Sequence, residues 1–148
     1  MTKRININKV APQAYKAMMG LEMYLANVEI SKTLKELIKI RASQINNCAY
    51  CIDMHTKDAM KYGETTQRIF LLSAWKEAKS FFTEEEQAVL VMTEEITMIS
   101  QNGLSEEAYE NASKFFSETQ IAEIIMAIVT INAWNRIAVS THLQVGEF

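Results

Sequence analysis

The chain is poor in residues that break helices. Its 148 residues include one proline and four glycines. So few breakers exclude a many-turned all-β fold and suit long helical segments. Charge is equally undistinguished. Fifteen basic and eighteen acidic side chains leave a net charge of −3, with the two signs interleaved. No basic patch carries aromatics between its charges, so a nucleic-acid partner is not expected. No uninterrupted run of 18 apolar residues occurs. The longest candidate, 121–139, is broken by Asn132, Asn135 and Arg136, so no membrane association is expected. The first residues are basic without an apolar stretch behind them, which disfavours a signal peptide and makes the cytoplasm the expected location. Cysteine is scarce too: two residues, three positions apart. A disulfide that local constrains the unfolded chain little, so the pair reads as catalytic or metal-binding rather than as a staple.

What is present is helical patterning. Apolar residues make up 49% of the chain, and its length fits one domain, 1–148, that can bury a core without staples. No stretch alternates with period two. The expected fold is all-α, a bundle of about six helices. Pro12 suits a first helical position. A second helix from Ser31 carries Leu34, Leu37, Ile38, Arg41 and Ile45 as an inward stripe. Asn46 and Asn47 end it in a turn, and a third helix runs from Cys48 to Tyr62, before Gly63. A fourth is expected from Thr65 or Thr66 to Lys79. Thr83 with Glu86 and Ser117 with Gln120 read as capping boxes, the first opening a helix to about Gly103. The second opens a helix to Thr141 that is apolar on nearly every face, a pattern that places it inside a core or between subunits. The nine methionines read as core gap-fillers.

The chemistry gathers around the cysteines. Cys48 and Cys51 stand at i and i+3 near a helix start, and His55 follows Cys51 at i+4. On a regular helix the three share an arc of about 60°. The positive end of the helix dipole favours a thiolate there, and an imidazole can take the thiol proton. Glu36 joins them because the short Asn46-Asn47 turn folds helices two and three into an antiparallel hairpin. Glu36 then lies roughly 16 Å before the turn and His55 roughly 13 Å after it. A partly desolvated carboxylate in that place can shuttle a proton, giving a relay from Glu36 through His55 to a thiol. Other readings stand beside this one. Thr33 with Glu36 also fits a capping box. Cys48 and Cys51 could form half a zinc site with His55, although a closed structural site needs four ligands.

The spacing Glu36, eleven residues, Cys48, two residues, Cys51, three residues, His55 resembles the alkyl hydroperoxidase D-like group of the carboxymuconolactone decarboxylase superfamily. The likeness is densest over the core motif region, 31–63, and runs from about Val10 to Ser140. It includes Asn132-Ala-Trp134-Asn135-Arg136, similar to a Trp-Asn-Arg signature of the shorter members. The resemblance implies an all-α fold, homo-oligomers such as trimers or hexamers, and peroxide reduction by a cysteine pair that cycles through a disulfide. It implies that Cys51 attacks the peroxide, Cys48 resolves, and Glu36 and His55 relay the proton. The implied partners are a small-molecule peroxide and a dithiol reductant such as a lipoyl-type protein, with no cofactor and no metal. The decarboxylases of the superfamily lack the cysteine pair, so their activity is not carried over. Where some peroxidases of the group have a second histidine, this chain has Tyr50. The dipole favours Cys48 as the more acidic thiol and nearness to His55 favours Cys51; the expected nucleophile is Cys51, because direct proton transfer needs hydrogen-bond reach. The alternative functions are a general thiol–disulfide oxidoreductase and a non-catalytic redox-sensing or metal-binding module.

Overall fold

Hydroxyl caps set where several helices begin. In the computed structural model, which describes residues 4–146, Ser31 accepts from the peptide N–H of Leu34, and Ser105 accepts from that of Ala108. Thr83 and Ser117 form complete capping boxes with Glu86 and Gln120. Nine α-helices result among the described residues: α1 Ile7–Val10, α2 Pro12–Ala26, α3 Lys32–Ile45, α4 Ala49–Lys61, α5 Thr66–Leu71, α6 Glu84–Thr97, α7 Ile99–Asn102, α8 Glu106–Ser113 and α9 Glu118–Thr141. None of these residues forms a strand.

The all-α class agrees with the sequence reading, but nine helices replace about six. The helix expected from 65 to 79 stops at Leu71. Residues Leu72–Glu77 and Lys79–Phe81 wind as tighter 3-10 turns, with a kink at Ala74 (φ −123°, ψ 29°). The helix expected to reach Gly103 breaks at Met98 (φ −97°, ψ 40°), leaving α7 as a separate turn. Neither break has a glycine or proline to announce it; packing imposes both. The methionine reading also needs correction. Met92 is fully buried, whereas Met19, Met23 and Met60 are exposed.

α3 is the hub, packed against α4, α6 and α9. Leu34, Ile38 and Ala42 of α3 meet Val89 and Met92 of α6 and Ile124, Ile128 and Ile131 of α9 in the main core, which also encloses Cys48 and Cys51. A second cluster joins Leu37 and Ile40 to Leu72, Trp75, Phe82 and Leu90. Against the expectation from run length, α9 is long and apolar enough to cross a membrane by length and composition. However, 56% of its most apolar 18-residue window is buried inside the protein. Such burial is what an apolar helix at the centre of a core requires.

Candidate active site

The turn between α3 and α4 builds the floor of the site. Asn46 closes α3, and Asn47 takes a left-handed conformation (φ 53°), which asparagine tolerates better than most residues. The chain then reverses, and the Cys48 N–H donates to the Ser43 carbonyl at 2.9 Å. This places Cys48 at the N-cap of α4 and Cys51 in its first turn. Both cysteines are 1% exposed, and both are free thiols. Their sulfurs hydrogen-bond at 2.8 Å, close enough that a small side-chain motion reaches the roughly 2.05 Å of a disulfide.

One proton shared across so short a contact separates the two acidities. The Cys48 thiol is lowered to about 7, chiefly by its hydrogen bond with Cys51, against the opposing effect of burial; the Cys51 peptide N–H and the Asn135 side chain lower it further. Cys51 moves the other way, because it holds the proton for Cys48 and is itself buried. Of the two, Cys48 is therefore the thiol that gives up its proton more readily, through its contact with Cys51. The sulfur on the cavity wall is nevertheless Cys51.

His55 and Glu36 meet as the hairpin geometry required. His55 Nδ1 lies 2.8 Å from Glu36 Oε2, with both residues about 95% buried. A carboxylate oxygen accepts, so the Nδ1 N–H is the donor of this contact. The capping reading of Glu36 fails, since Ser31 caps α3. Glu36 Oε1 is 3.4 Å from Lys39 Nζ, and Lys39 lies 3.8 Å from Glu22. Glu22 accepts from Trp134 Nε1 at 2.9 Å. His55 and Cys51 line one cavity of about 500 Å³, walled by Tyr15, Tyr50, Met54, Trp134 and Ile137. Tyr15 meets the Trp134 ring edge-on at 5.5 Å. The Tyr50 hydroxyl is pushed up by burial and then by Tyr15 and the two cysteines, so this part of the wall is a neutral phenol.

The structure thus brings Cys48, Cys51, His55 and Glu36 together. Lys39, Glu22, Ser43 and Asn135 complete their surroundings. Sequence reasoning assigned none of these four a role; only the Trp-Asn-Arg likeness drew attention to Asn135. Among the described residues, Glu36, His55 and Asp58 have donor atoms within 4.8 Å of one another and could hold a metal ion. The cysteines lie outside it, and its donors already pair with each other and with Lys61. That arrangement does not fit a zinc site built on both sulfurs.

Residues 12–94 match the model of the carboxymuconolactone decarboxylase family. The uncharacterized protein YdfG of Bacillus subtilis (strain 168) is 44% identical over 140 residues, 95% of each chain. The chain belongs to the carboxymuconolactone decarboxylase family. Within the family, its backbone is similar to that of Agrobacterium tumefaciens ATU0492, a protein of unknown function described as a candidate antioxidant defence protein AhpD. The two are 40% identical with a TM-score of 0.94, over 99% of this chain and 100% of that one. The debrominase Bmp8 shares the fold at 22% identity and a TM-score of 0.80, over 92% of this chain and 73% of its own. The family match and the likeness to ATU0492 place the chain with the AhpD-like members of the carboxymuconolactone decarboxylase superfamily.

Proposed function

We propose that the protein reduces organic hydroperoxides with the Cys48–Cys51 pair, using His55 and Glu36 to move the proton. The observation that carries this reading is the 2.8 Å sulfur contact beside a cavity that Cys51 and His55 line together. In the first step the Cys51 proton passes to Cys48 or to His55. The Cys51 thiolate then attacks the O–O bond. Its sulfur takes the terminal oxygen as a sulfenic acid, and the alkoxide leaves with a proton from the imidazole side. Cys48 next attacks the Cys51 sulfur as a thiolate, hydroxide leaves and is protonated to water, and a disulfide forms. The two electrons that cleaved the peroxide have come from the two thiols. A dithiol restores both by exchange and becomes a disulfide itself.

Burial supports a small substrate. At 1% exposure neither sulfur meets a folded disulfide-bearing protein, whereas a slender hydroperoxide or the arm of a lipoyl-type dithiol can enter the cavity. In this reading the proton passes between Cys51 and His55, which line the same cavity, through a water or the substrate itself. The test is to treat reduced Cys48→Ser with an organic hydroperoxide and a sulfenic-acid trapping reagent. An adduct on Cys51 is expected. A Cys51 thiol that stays free throughout overturns the reading.

A further inference from the structure

Asn135 is a carboxamide buried where apolar side chains dominate. It is 1% exposed, on the stretch of α9 that packs against α3 and α4. Burying such a group is costly unless its polar atoms are paired. Here they are paired in a particular sense. Asn46 Nδ2 donates to Asn135 Oδ1 at 2.9 Å, and Asn135 Nδ2 donates to Ser43 Oγ at 2.9 Å. Ser43 Oγ in turn donates to the Lys39 carbonyl at 2.7 Å. The Asn46 donor holds Oδ1 on its own side, so the nitrogen stays on the side of Ser43, whose carbonyl accepts the Cys48 N–H at 2.9 Å; a flipped amide would set two donors against each other. Nδ2 has two hydrogens, and Ser43 takes one.

We propose that the second Asn135 N–H is the shared hydrogen-bond donor of the sulfur pair, stabilising negative charge on Cys48 or on Cys51 as the proton moves between them. A donor fixed in a dry site needs no reorganisation when charge shifts, which is where such a group acts most strongly. In keeping with this, the Asn135 side chain pulls both thiols toward greater acidity. The charged and titratable groups that the surrounding elements bring to the cavity beside the cysteines are Lys39 from α3 (with Glu36 on His55), Tyr50, His55 and Asp58 from α4, and Tyr15 and Glu22 from α2. α9 contributes Arg136, which is bound to Asn132. α6 brings Thr97 to Asn132 and keeps Glu94 on Arg41 and Trp75.

The inference deepens the peroxide reading, but its test stands apart from peroxide turnover. Thiolate formation is followed by ultraviolet absorbance against pH in the wild type, Asn135→Asp, Asn135→Ala and Asn132→Ala. Loss of the donor is expected to raise the lower thiol midpoint by about one unit, or about tenfold less thiolate below it. Asn132→Ala removes a neighbour from the same network without touching the sulfurs and is expected to leave the midpoint in place. Folded Asn135 variants with an unshifted midpoint, or an equal shift in Asn132→Ala, overturn the proposal. If the Asn135 variants do not fold, Asn46→Ala, partly exposed at the end of α3, releases the amide orientation. It is expected to raise the midpoint by a smaller amount, and no change in it overturns the proposal. A shifted midpoint in a protein that leaves peroxide untouched would retain this inference and remove the peroxide reading.

Discussion

Replacing Cys51 with alanine isolates the Cys48 sulfur and tests where its acidity comes from. Cys48 starts from an ordinary value of 9.0 and is lowered to about 7, with the Cys51 hydrogen bond as the largest cause. Without that bond the midpoint returns towards 9.0. At pH 7 the thiolate fraction then falls from about one half to about one in a hundred, a drop of about fiftyfold. The remaining thiolate is more basic by about two units. With a Brønsted slope of 0.4–0.5 it is about eightfold more nucleophilic. The two effects leave Cys48 alkylation about sixfold slower at pH 7 and about eightfold faster well above pH 9, with the two profiles crossing near pH 8. The assay is alkylation by a small neutral reagent, following the Cys48 peptide by mass spectrometry across pH. A Cys51→Ala profile whose midpoint stays near 7 would refute the reasoning and assign the acidity to the helix terminus.

Three further outcomes are expected. Glu36→Gln keeps the shape but removes the carboxylate that holds His55 at 2.8 Å; disulfide formation in a single peroxide turnover should slow by about 10²-fold, with both thiols still present, and an unchanged rate would remove Glu36 from the relay. Glu94 is buried, yet its carboxyl is held low: burial pushes it up, and Lys76, Trp75 and Arg41 more than offset this. A carboxylate depressed in the folded state stabilises above its ordinary 4.5 and loses that contribution as pH falls through the folded value. Glu94→Gln should therefore cost about 3–5 kcal/mol at neutral pH and progressively less in acid, as read by urea unfolding. Ile128 is fully buried in α9; Ile128→Ala should lower unfolding free energy by about 2–5 kcal/mol in the same assay, and a cost under 1 kcal/mol would show that α9 is not the central core element.

What could be read from residues alone was what local geometry dictates. Cys48, Cys51 and His55 lie within eight residues of one helix, so regular spacing aligns them. Glu36 joins them because two asparagines force a tight reversal between two helices of similar length. The capping boxes at Thr83 and Ser117 were visible because a cap and its N3 partner are only three residues apart. The rest depended on distant packing. Asn135 reaches Ser43 across 92 positions and Trp134 reaches Glu22 across 112, separations that periodicity does not encode. The kink at Ala74 and the break at Met98 follow from the helices they pack against, with no breaker residue to mark them. Which sulfur holds the charge was also beyond spacing. The helix terminus and His55 pull in opposite directions, and a single proton shared at 2.8 Å decides between them.

That sulfur contact is also where the account is most exposed. Fully reduced protein is titrated with an aromatic hydroperoxide in the absence of oxygen, and intact mass and cysteine peptides are followed at each addition. The account predicts that each peroxide consumed removes both thiols of one chain and yields a Cys48–Cys51 disulfide, with the alcohol formed in equal amount. Peroxide left intact beside two free thiols would contradict it, as would oxygen accumulating on either sulfur while no disulfide forms.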